Sequence, residues 1–168
     1  MQAIYIFLLF LLFQNIGYSQ KDSITIYLFL REDCVISQNY TPTLNRLYET
    51  FSTKKIGFIG LFPNTRDEQI ETFRKKYAVT FLLKSDYFQT ITKKLGATVT
   101  PEVIVYNQVC NEILYKGRID DTYFRVGKKR AVTTTAELEE ALKAIKAGKS
   151  IVVKETEPVG CLINLNER

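Results

Sequence analysis

Cys34 and Ser37 form a C-x-x-S segment, Cys34-Val35-Ile36-Ser37, at the point where an apolar run gives way to a helical pattern. A sulfur placed between a strand and a helix sits in the positive field of the helix N-terminus, which favours thiolate over thiol. The Ser37 hydroxyl and the first-turn amides are candidate donors to it. A lone cysteine also serves as a small buried hydrophobe, but the polar neighbours Arg31, Glu32, Asp33, Ser37, Gln38 and Asn39 point to a solvent-facing turn. Asp33, directly before the sulfur, is expected to oppose the helix field and raise the thiol pKa. Val99-Thr100-Pro101 precedes a later apolar run, and a proline at a strand entry has a fixed φ, no N–H and a raised frequency of the cis bond. Glu102 beside it is a candidate proton acceptor for Cys34 or an attacking thiol; the plainer expectation is an exposed strand-start carboxylate. With Cys110 and Cys161 the chain has three cysteines, so at least one is free or pairs outside the chain.

The rest of the composition narrows the chemistry. The chain has no histidine, which excludes Ser-His-Asp and Cys-His catalysis and any site built on imidazole ligands. No cofactor and no metal are implied. At 168 residues and 46% hydrophobic it has enough material for one domain with a core, and three cysteines are too few for a disulfide-dense scaffold.

These residues need elements to hold them. Residues 3–13 are an unbroken apolar run, too short for a bilayer span and followed by small residues, as in a secretory signal over 1–19 cleaved before Gln20 or Lys21. Residues 1–19 carry no charged side chain, so a retained anchor or a buried strand is the competing expectation. Export places the cysteines where disulfides persist. Ile24 to Leu30 reads as a strand. Ile36, Tyr40, Leu44, Leu47 and Phe51 share one helix face that Pro42 interrupts. Ile56 to Phe62 is a second buried strand. Thr65 to Glu68 has capping-box spacing before a stripe of Ile70, Phe73 and Tyr77. A strand over Val79 to Leu83 is expected next, then a short helix opened by Asp86 and Gln89 and closed at Gly96. Val103 to Tyr106 and Ile113 to Lys116 form a hairpin. Thr134 and Glu137 start a final helix with Leu138, Ala141, Leu142 and Ile145 on one face, and a loose tail follows. The result is one α/β domain with helices on both sheet faces, over 20–156, and a tail over 157–168 that carries Cys161.

A strand, Cys-x-x-(Cys/Ser), a helix, a downstream Thr-Pro before a hairpin and a last amphipathic helix resemble the thioredoxin superfamily. More narrowly, the chain resembles exported redoxins related to alkyl hydroperoxide reductase and thiol-specific antioxidant proteins. The residues that carry this are Asp33 to Ser37, Thr41 to Asn45, Leu95 to Val103, Tyr115 to Asp121 and Pro158 to Cys161, and the likeness runs from about Ile24 to Ile163. It implies a thioredoxin-like fold with a central mixed sheet and a redoxin-type extra strand and helix between Val79 and Gly96. Cys34 then matches the nucleophile. Pro101 matches the cis-proline, beside which Val99 and Thr100 would bind a substrate chain.

The chain departs from the pattern at position 37, where serine replaces the usual second thiol, and at position 33, where aspartate replaces tryptophan. Tyr27 and Arg31 stand where peroxiredoxins carry the proline and Thr/Ser of their motif, which weakens a peroxidase reading. Cys161 is a candidate partner for Cys34; docking of the tail through Cys161, or a bond from Cys161 to Cys110, are the alternatives. The expected function is an exported thiol–disulfide oxidoreductase that uses Cys34 as nucleophile and either Cys161 or an external thiol to resolve it, with protein thiols or disulfides, or an external thiol reductant, as partners. A non-catalytic thioredoxin-like binding module and a monothiol peroxidase remain as other readings. Lys128-Lys129-Arg130 and Arg74-Lys75-Lys76 are the densest basic runs; without interleaved aromatics they fit a solvated surface or an acidic partner better than nucleic acid. No membrane span is expected once the signal is removed.

Overall fold

A computed structural model describes residues 24–165; the expected signal segment lies outside them. A five-stranded sheet with strand order β3-β2-β1-β5-β6 is built from β1 (Ile24–Phe29), β2 (Ile56–Pro63), β3 (Leu82–Asp86), β5 (Glu102–Asn107) and β6 (Glu112–Gly117). β1 runs parallel to β2, and β2 parallel to β3, whereas β1 is antiparallel to β5 and β5 to β6. The helices are α1 (Val35–Phe51), α2 (Asp67–Lys76), α3 (Thr90–Leu95) and α4 (Glu137–Lys146). Four two- or three-residue strands complete the described set: β4 (Val99–Thr100), which pairs with β9 (Cys161–Leu162), and the hairpin partners β7 (Tyr123–Arg125) and β8 (Lys128–Lys129).

Alternation along the strands builds two cores. Ile26, Leu28, Leu30, Phe58, Phe62, Val103 and Val105 pack on one face against α1, α2 and α4 through Leu44, Leu47, Phe73, Leu138 and Leu142. Phe29, Leu61, Ile104 and Tyr106 face the other way, against Leu95 and Ala97 around α3 and against Ile163 of the tail. The expected mixed sheet with helices on both faces is what the chain forms. The helical stripe from Ile36 to Phe51 is the buried face of α1, and Pro42 stays inside the helix.

Some local expectations shift. The strand expected over Val79 to Leu83 begins at Leu82 and runs into Lys84, Ser85 and Asp86, because β3 is a sheet edge with alternating exposure; Val79 and Phe81 are buried before it. The box at α2 lies one residue later than Thr65, with the Arg66 N–H donating to the Gln69 side chain. The Asp86 carboxylate does open α3, accepting the amides of Ile91 and Thr92 at 3.2 and 2.7 Å.

The tail is not loose. Thr156 N–H donates to the Lys116 carbonyl (3.0 Å), Lys116 N–H donates to Lys154 O (2.9 Å), and the Thr156 hydroxyl meets Tyr115 OH at 2.8 Å. These contacts lay residues 154–156 along the free edge of β6, and the chain then crosses to β4.

Asp121 fastens the loop that carries β7 and β8. Its carboxylate accepts the Thr134 hydroxyl and the amides of Thr134 (2.7 Å) and Thr135 (3.1 Å). The Thr134 hydroxyl bond, helped by the amides and Arg130 against partial desolvation, holds its pKa down at about 2. A depressed carboxylate contributes stability that is complete above its unfolded pKa of about 4 and vanishes as pH falls through about 2. Urea unfolding across that window is expected to show wild type losing its advantage over Asp121→Asn between these two values; a gap independent of pH would contradict the assignment.

Candidate functional site

β1 ends at Phe29, and the chain reaches the N-terminus of α1 through Arg31, Glu32 and Asp33, which leaves Cys34 as the N-cap residue. Ser37 is fully buried in the first turn, and its hydroxyl accepts the Arg31 N–H at 3.4 Å. Opposite, the peptide bond from Thr100 to Pro101 is cis. The Thr100 carbonyl lies 3.1 Å from Cys34 Sγ and accepts a hydrogen bond from it when the thiol is protonated.

The tail brings the remaining sulfur. β9 pairs antiparallel with β4, Cys161 opposite Thr100 and Leu162 opposite Val99. Ile163 N–H donates to Thr98 O at 2.9 Å, Arg31 Nη1 to Leu162 O at 3.1 Å and Gln89 Nε2 to Asn164 O at 2.7 Å. Gly160 is required by close approach, since a Cβ there would sit 2.3 Å from the Thr100 carbonyl oxygen. Cys161 Sγ thereby comes to 2.6 Å from Cys34 Sγ. A disulfide bond measures about 2.05 Å, so the two free thiols are already in the contact from which one would form.

The two sulfurs titrate in opposite directions. Burial pushes Cys34 up, but hydrogen bonds from the Cys161 thiol, from the Ser37 amide and hydroxyl and from the Ile36 amide outweigh it and hold Cys34 below the ordinary thiol value. Cys161 is pushed up to about 11 by burial, then by its bond to Cys34 and by the charge there, with Arg31 only partly compensating. Cys34 is the sulfur that ionises, and Cys161 keeps the proton.

Three expectations change here. Cys34 does not face solvent: it is completely buried, because the tail lies over it. Asp33 does not act as an unopposed negative charge, since Arg31 pairs with it and also faces both sulfurs. Glu102 is not exposed. It is buried, with Oε2 accepting the amides of Thr98 (2.7 Å) and Val99 (3.4 Å) and Oε1 lying 3.8 Å from Lys116 Nζ, so it holds β4 rather than meeting a sulfur. Of Val99, Thr100 and Pro101, Thr100 meets Cys34 through its carbonyl, and the strand edge of Val99 and Thr100 is filled by β9. Cys110 is exposed in the β5–β6 turn. Arg31 and Gly160 are the site residues that the sequence reading missed; the Pro158-Val159-Gly160-Cys161 cluster was the signal for the second.

No family model and no curated protein sequence matches the chain. Solved structures do. An uncharacterized conserved protein from Geobacillus kaustophilus is 20% identical with a TM-score of 0.76, over 88% of this chain and 79% of that one. A hypothetical protein from Sinorhizobium meliloti 1021 is likewise 20% identical, with a TM-score of 0.75 over 88% and 82%. A secreted disulfide oxidoreductase from Mycobacterium tuberculosis, homologous to DsbE of E. coli, is 15% identical with a TM-score of 0.52 over 74% and 83%. Among the described residues no helix is long and apolar enough to cross a membrane.

Proposed function

We propose that this chain, which has the thioredoxin fold, is an exported thiol–disulfide oxidoreductase whose redox couple is Cys34 and Cys161. The observation that carries the reading is the 2.6 Å approach of the two sulfurs at the start of α1, beside the Thr100 carbonyl. Cys161 takes the part that Ser37 cannot, and Ser37 becomes a donor to the thiolate. The secreted M. tuberculosis oxidoreductase of the same fold supports both the chemistry and the export.

The Cys34 thiolate attacks one sulfur of a substrate disulfide and expels the other as a thiolate, leaving a mixed disulfide on Cys34. Cys161 then gives its proton to the departing thiolate and attacks Cys34 Sγ, which releases the second substrate sulfur. Two electrons move from the pair to the substrate, and an external dithiol restores the pair. In the reduced state everything that holds the tail over Cys34 is non-covalent, namely the two-residue β4–β9 ladder, the Ile163 amide on Thr98, the packing of Ile163 and a few side-chain bonds, so β9 can leave and open the edge of Val99 and Thr100 to a substrate chain.

Turnover of a protein disulfide such as insulin by a dithiol reductant tests the reading. Cys34→Ser, Cys161→Ser and the double variant are expected to fall to one common background, because residues that act as a unit are not additive, while Cys110→Ser keeps wild-type turnover. A Cys161→Ser variant that retains full activity would remove Cys161 from the couple.

A further inference from the structure

The two sulfurs are not equally open to an attacking thiol. A groove of about 460 Å³ between hairpin β7–β8 and the first turn of α1 is lined by Val35, Asn39, Tyr123, Val126, Lys129 and Cys161. Cys34 does not line it. Cys34 is fully buried, whereas Cys161 is only half-buried. Once the pair is bonded the tail cannot swing away, so the cover over Cys34 becomes permanent for that state. We infer that the reductant reaches the oxidised protein through this groove and attacks Cys161 Sγ, with Cys34 as the leaving group; this rests on the proposed Cys34–Cys161 disulfide. Re-reduction thus enters at the sulfur that closes the ring in the forward reaction, and the two half-reactions use opposite members of the pair.

The step balances with a dithiol as reductant. Its first thiolate bonds to Cys161 Sγ, the bond between Cys161 and Cys34 breaks, and the electron pair leaves on Cys34. Its second thiolate then attacks the first one's sulfur, releasing Cys161, which takes up a proton; the dithiol leaves as a disulfide. Exchange is faster when the departing sulfur is the better stabilised as a thiolate, and Cys34 has fixed donors beside it that do not depend on the Cys161 proton, the Ser37 amide and hydroxyl and the Ile36 amide. The Ser37 and Ile36 donors that lower Cys34 also receive it as it leaves.

The test uses oxidised full-length protein carrying Cys110→Ser, treated briefly with glutathione and quenched with N-ethylmaleimide before peptide mass spectrometry. Glutathione is expected on Cys161 and maleimide on Cys34, in on the order of tenfold excess over the reverse pattern. Glutathione on Cys34, or an even split, would overturn the inference and leave the couple intact. A starting protein with no linked Cys34 and Cys161 peptides would overturn the couple itself, and this inference with it.

Discussion

Gly160→Val is expected to lift β9 off β4 and separate the two sulfurs without unfolding the domain. The Cβ that valine adds would lie 2.3 Å from the oxygen and 2.6 Å from the carbon of the Thr100 carbonyl, both backbone atoms with no side-chain freedom to yield. Overpacking of this kind destabilises by about 1–3 kcal/mol, and the tail relieves it most easily because its own hold is light: two paired residues and a few bonds from Arg31, Gln89 and Thr98. Both hydrophobic clusters keep their strand and helix residues. A free-energy change of that size raises the undocked fraction by about 5- to 150-fold, so Cys34 alkylation in the reduced protein is expected to speed up within that range. Formation of the Cys34–Cys161 bond should slow in parallel. Unchanged Cys34 alkylation would mean that Gly160 does not control access to the site.

Glu102→Ala acts on the same strand from beneath. The buried carboxylate is the acceptor for the Thr98 and Val99 amides and for the Thr98 hydroxyl, and hydrogen bonds to a charged acceptor are worth about 1.5–3 kcal/mol. Removing it is expected to destabilise the protein by about 3 kcal/mol, measured by urea unfolding. Glu102→Gln keeps an oxygen on those amides and should recover most of the loss. Glu102 is a positioning residue: β4 presents the Thr100 carbonyl to Cys34, so the alanine variant should also move the pH profile of Cys34 alkylation, and the glutamine variant should restore it. A stability loss with an unmoved pH profile would reduce Glu102 to a purely structural role.

What the sequence made legible follows from how local each feature is. The α1 stripe, the β5–β6 hairpin and the N-terminal placement of Cys34 depend on residues within one or two elements, and spacing alone reveals them. Hairpin β7–β8 was hidden because Tyr123-Phe124-Arg125 and Lys128-Lys129 are too short and too charged to show a strand period; the basic run looked like plain surface. β3 was displaced for a related reason, its polar end being paired only on one side. The burial of Cys34 depends on a segment 127 residues away. Polar flanks correctly mark a turn there, but no local pattern says that Gly160 to Leu162 will close over it. The pairing of Asp33 with Arg31 is local, two residues along the chain, and was within reach of the sequence; what spacing does not tell is that the turn before α1 brings the two side chains together.

The most direct test of the account is peptide mapping of the oxidised protein under non-reducing conditions, with free thiols alkylated first. Cys34 and Cys161 are expected in one linked peptide pair that reductant separates, with Cys110 carrying the alkyl group. Cys34 and Cys161 both recovered alkylated after oxidation, or Cys34 linked instead to Cys110, would contradict this expectation.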